Sequence, residues 1–76
     1  MVLGMRMALA LLRRLTELFP PPEGSSHGLA LNAGKLTVVL FHEGAWEAYF
    51  LGEEDFEKDL DTLVREITSL HEQRKA

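Results

Sequence analysis

An α+β fold, ordered α-β-β-β-α, is predicted by three observations. Apolar residues repeat at helical spacing near each end of the chain, they alternate with period two between positions 29 and 51, and a Pro-Pro-Pro run separates the first pattern from the second. A three-stranded antiparallel meander packed by an N-terminal and a C-terminal helix satisfies all three. At 76 residues the chain makes one domain, 1–76.

The first helix is expected over residues 5–19. At 100° per residue Met5, Met7, Ala8, Leu11, Leu12, Leu15, Leu18 and Phe19 fill one arc of roughly 160°, wider than a single packing contact needs. Leu9 and Leu11 are therefore candidates for a second, intermolecular contact. Pro20, Pro21 and Pro22 remove three backbone donors and push the preceding residue out of the helical region, so the helix ends at Phe19. Residues 20–28 then read as a Pro/Gly/Ser connector.

Strands are expected at Leu29–Asn32, Lys35–Phe41 and Ala45–Leu51, forming the meander over 29–51. The turns fall at Ala33-Gly34 and around Glu43-Gly44. A two-residue first turn aligns Leu29 and Leu31 with Leu36, Val38 and Leu40. A three-residue second loop of His42, Glu43 and Gly44 then places Leu40 opposite Trp46, Val38 opposite Ala48 and Leu36 opposite Phe50, making one wholly apolar core face. In that register the second face carries Ala30, Thr37, Val39, Phe41, Glu47, Tyr49 and Leu51. Val39, Phe41, Tyr49 and Leu51 are too apolar for a solvated face and become the main candidate interface.

The last helix is expected over 53–73, with Phe56, Leu60, Leu63, Val64, Ile67 and Leu70 as its buried stripe. Glu54 to Lys58 and Asp61 to Arg65 have favourable i,i+4 spacing. The formal charge of −4 is concentrated here, because Glu53, Glu54, Asp55, Glu57, Asp59 and Asp61 with Lys58 sum to −5 and leave +1 for the remainder. As one helix, Glu53, Glu57 and Asp61 would form an acidic ridge, with Asp55 and Asp59 beside it. Such a ridge is a solvated, dipole-favoured helix start or a docking site for a basic protein partner.

Several function classes find no residues to carry them. The chain has no cysteine, which excludes disulfides and thiolate metal sites, and its basic residues are scattered rather than aligned for direct nucleic-acid binding. His27, His42 and His71 are not spaced as a metal pair and read as solvated or partner-facing. Gly24-Ser25-Ser26-His27-Gly28 lacks the spacing of a phosphate loop or a nucleophile elbow. No catalytic residue, cofactor or metal is expected. The apolar start is too short to span a membrane and is ordered wrongly for a secretory leader, which gives a cytoplasmic expectation. Fourteen Leu beside single Asn, Gln and Ile residues suit a GC-rich or thermophilic bacterial source.

A chain this small buries a modest share of its surface and gains from a supplement to its core. Without cysteine, self-association is the supplement its apolar surfaces suggest. The leading expectation is a non-enzymatic interaction module that forms a homodimer or higher oligomer. The rival is a small acidic regulator, of the bacterial or phage kind, docking through residues 53–61 onto a basic surface of a nucleic-acid enzyme.

Overall fold

Helix α1 (Val2–Leu18) leads through the proline connector into strands β1 (Gly28–Asn32), β2 (Lys35–His42) and β3 (Ala45–Leu51), and a 3-10 turn over Glu53–Glu57 precedes helix α2 (Leu60–Lys75). The computed structural model describes residues 2–32, 35–42 and 44–75. The strands form an open antiparallel sheet in the order β1-β2-β3, so the α-β-β-β-α architecture is as the sequence predicts. Residues 33, 34 and 43, to which turns were assigned, lie outside the described residues.

Both helices lie on one face of the sheet. Ala8, Leu11 and Leu15 of α1 meet Leu63, Val64 and Ile67 of α2 over Val38 and Leu40 of β2 and Tyr49 and Leu51 of β3. The remaining arc of α1 supplies the partly buried Met7 and Leu12 at the margin of this core. Phe56, carried by the 3-10 turn, reaches back to α1 at Gly4. A Cβ at Gly4 would stand 3.3 Å from the Phe56 ring, so glycine lets helix and ring approach.

The α1 terminus is set by chain chemistry as well as by proline. Phe19 N–H donates to Leu15 O at 2.8 Å and closes the last helical turn. Gly24, at φ +84, then sits third in a four-residue turn closed by Ser25 N–H donating to Pro22 O at 3.0 Å. His27 ties the connector down. Its Nε2–H donates to Phe19 O at 2.6 Å, and its Nδ1 accepts the Phe41 N–H at 2.9 Å. The ring thus stands in for the strand partner that β1, beginning at Gly28, does not offer Phe41.

The second hairpin differs from expectation by one residue. His42 pairs with Ala45, one position away from the expected register, and Gly44 has a positive φ of 80. Leu40 consequently faces Glu47, Val38 faces Tyr49 and Leu36 faces Leu51. A one-residue slip exchanges the faces of an entire strand. Tyr49 and Leu51 therefore enter the core, each 5% exposed, while Trp46 and Phe50 turn outward, each 60% exposed.

The expected helix over 53–73 is divided. Lys58 has an extended backbone (φ −87, ψ 156), and two aspartates act as separate local caps on either side of it. Asp55 Oδ2 accepts the Gly52 N–H at 2.8 Å, and Asp59 Oδ1 accepts the Thr62 N–H at 2.8 Å, so α2 starts only after Asp59. The Thr62 hydrogen bonds hold the Asp59 carboxyl below its ordinary range. The inward seam of α2 then runs through Leu63, Val64, Ile67 and His71, and Leu70 is left half-exposed.

Candidate functional site

Two regions outside the apolar core concentrate unusual side chains: the outer face of the sheet and a polar cluster beneath β3. The outer face is read directly from the pairing. Across the strands it presents the rows Gly28–Val39–Ala48, Ala30–Thr37–Phe50 and Phe41–Trp46. Among its described side chains only Lys35, at the start of β2, is charged. Phe41 and Trp46 pack edge to face with centroids 4.7 Å apart, and neither helix covers them.

The face is uneven as well as apolar. Trp46 and Phe50 stand at either end of β3 with Ala48 between them, and the β1 side is low at Gly28 and Ala30, its described residues on this face. A Cβ added at Gly28 would meet nothing within 4 Å. Thr37 forms part of the floor; its hydroxyl is buried without a hydrogen-bond partner.

The polar cluster joins β3 to α2. Glu47 Oε1 accepts the Tyr49 hydroxyl at 2.9 Å and the His71 Nδ1–H at 2.7 Å. The Phe19 ring tilts against the imidazole with centroids 4.5 Å apart, and the Arg74 guanidinium lies 4.4 Å over the Tyr49 ring. Burial and, next, the hydrogen bond to Glu47 push the Tyr49 phenol from its ordinary 10.0 up to about 12, against a smaller opposing pull from Arg74. Arg74 Nη2 also reaches Ala48 O at 3.5 Å, blunting the exposed edge of β3.

A carboxylate beside an imidazole is general-base chemistry in principle, but here the imidazole is buried. His71 is 2% exposed and packed against Phe19, and the Glu47 side chain beside it is 14% exposed. Its geometry suits tying the last turn of α2 to the sheet. Among the described residues no group of three or more His, Cys, Asp or Glu is placed to hold a metal ion. Among the same residues no helix is long and apolar enough to cross a membrane.

The residues marked from sequence are distributed as follows. Val39 and Phe41 lie on the face opposite both helices, while Tyr49 and Leu51 leave the candidate interface for the core because of the hairpin register. Leu9 is half-exposed on α1, and Leu11 is fully buried. His71 is buried rather than solvated or partner-facing, and His27 is half-buried and held by the hydrogen bonds above; the His42 side chain lies outside the described residues.

The acidic run is not one ridge. Asp55 caps the 3-10 turn and meets Lys58 Nζ at 3.2 Å, Asp59 caps α2, and Asp61 accepts from Arg14 of α1 at 3.1 Å. Lys58 does not pair with Glu54 as expected but bridges Asp55 and Glu66, which raises its pKa, Glu66 first and Asp55 second. Glu53, Glu54 and Glu57 remain exposed on the turn. Sequence reasoning placed Trp46 and Phe50 in the core and set Glu47 on the second face, with no role assigned to it.

Comparison with protein-family models, with curated proteins and with solved structures finds no match to this chain.

Proposed function

We propose that this protein is a non-enzymatic interaction module that assembles with copies of itself through the outer face of its sheet. The observation that carries this reading is the composition of that face. Val39, Phe41, Trp46, Ala48 and Phe50 form a continuous apolar surface on the side of the sheet opposite both helices. Uncovered aromatic pairs such as Phe41 and Trp46 are the side chains that dominate association energies. The half-exposed Leu9 and Met5 on α1 are a second apolar strip, smaller and flanked by Arg6 and Arg13.

The acidic docking alternative has less to work with. Asp55, Asp59 and Asp61 are each engaged within the chain, which leaves Glu53, Glu54 and Glu57 for a basic partner. Light scattering at micromolar concentration tests the leading reading: the unmodified chain is expected to be dimeric or larger. Phe41→Glu, which puts a charge at the centre of the aromatic pair, is expected to yield a folded monomer. A strictly monomeric unmodified chain, or a Phe41→Glu variant with unchanged mass, refutes it.

A further inference from the structure

Resting on that reading, we propose that the partner is a second copy held face to face about a two-fold axis that runs along β2, so that Phe50 of each copy seats over Ala30 of the other. Area sets the first constraint. Strands rise about 3.4 Å per residue and lie about 4.8 Å apart, so strands of five, eight and seven residues make a footprint of roughly 23 by 14 Å. The raised aromatics add to it, since Trp46 and Phe50 each expose 60% of their surface. Complete overlap of two such faces removes on the order of 1,000 Å², close to the lower bound for a specific interface. Partial overlap falls well below that bound. The axis must therefore pass over the middle of the face.

Two in-plane axes allow complete overlap. One crosses the strands above the Gly28–Val39–Ala48 row and inverts the direction along β3. It brings Trp46 of one copy onto Phe50 of the other, stacking the two tallest side chains and holding the floors apart, where a void forfeits contact. The other axis runs along β2 and exchanges β1 with β3. It brings Phe50 over Ala30 and Ala48 over Gly28, tall onto low at one end and small onto small at the centre. Trp46 then overhangs the connector before β1, at the exposed Ser26. This arrangement sets only β2 side chains, Phe41 among them, against their own copies and keeps Trp46 and Phe50 off one another, and an isologous contact of this kind stops at two copies.

A distance and a size exchange test this together. The chain contains no cysteine, so Lys35→Cys, at the exposed start of β2, accepts a single spin label. Four residues separate Lys35 from Val39, so the crossing axis places the two labels roughly 27 Å apart or more, whereas the axis along β2 brings them to about 10–15 Å. The short distance is expected; the long one overturns the arrangement.

Phe50→Ala and Ala30→Phe are each expected to weaken the dimer about tenfold or more, by removing the tall side chain or filling its seat. The double variant A30F/F50A recovers most of that loss, because the axis along β2 exchanges the two positions. Ala30 is exposed on an edge strand, so both single variants should keep the native circular dichroism. If Ala30→Phe leaves the dimer intact while Phe41→Glu dissociates it, the face remains the interface and the arrangement is wrong. A chain that is monomeric throughout removes both.

Discussion

The two faces of the sheet are made from the same three strands, and each is mostly apolar, yet they have opposite fates. Beneath the helices, Val38 and Leu40 are fully buried, and the polar atoms of Glu47, Tyr49 and His71 are matched to one another. On the other side, Trp46 and Phe50 carry more apolar surface than any core residue but have no helix over them. Hydrophobicity alone therefore does not tell which face is the core of this chain. What separates them is whether the hairpin register lets each polar group find a partner.

The sharpest way to break this comparison is to truncate one large side chain on each face. Leu40→Ala removes a side chain that is 0% exposed and is expected to cost about 3–5 kcal/mol. For a domain whose whole stability is of order 4–11 kcal/mol, that leaves a substantial unfolded fraction. Phe50→Ala, measured by urea unfolding at concentrations low enough to separate copies, is expected to change stability by less than about 1 kcal/mol. Its effect should appear only as concentration rises and association contributes to folding. Equal losses at high dilution would mean that the outer face contributes to the fold of the single chain.

The architecture was legible because it depends on period and punctuation. Helical spacing at Ala8, Leu11 and Leu15, alternation from Leu29 to Leu51 and the three prolines each mark a boundary by local sterics. The hairpin register was not, because choosing between a two- and a three-residue loop at Glu43-Gly44 turns on contacts distant in sequence. Matching apolar to apolar put Trp46 and Phe50 inside and Glu47 outside. The chain does the reverse because His71, 24 residues later, gives Glu47 a buried donor.

Similar reasoning explains the divided acidic segment. Spacing shows that Glu53, Glu57 and Asp61 would align on a helix, but Asp55 and Asp59 each bind backbone N–H groups and compete with helix continuation. As for the candidate interface, Val39 and Phe41 were accessible to pattern reading. Their true neighbours on β3 required the register.

The polar cluster offers an intermediate test, since it is what admits Glu47 to the covered face. Glu47→Leu removes the carboxylate that accepts from the Tyr49 hydroxyl and from His71 Nδ1–H, and the loss of these buried bonds is expected to cost about 1–3 kcal/mol. Adding His71→Leu should recover much of the loss, because removing both members of a buried polar pair is far less costly than orphaning one. Thermal unfolding of the two single variants and the double yields the coupling energy. Additive losses would show that the cluster is incidental to the choice of face.

The smallest effect is read in alkaline solution. Tyr49 is the only tyrosine, so phenolate absorbance reports one group. Burial and the Glu47 hydrogen bond favour its neutral form, and the native midpoint is expected near 12 rather than 10.0. A raised phenol pKa means that the unfolded chain loses the proton first. Stability is therefore intact below pH 10 and declines as pH rises from 10 toward 12. Glu47→Gln removes a carboxylate that opposes the phenolate but leaves the ring buried, so its midpoint should fall only part of the way back. A native midpoint at the ordinary value would place the phenol in water, on the outer face with Phe41, and would restore the three-residue hairpin loop that the folded chain rejects.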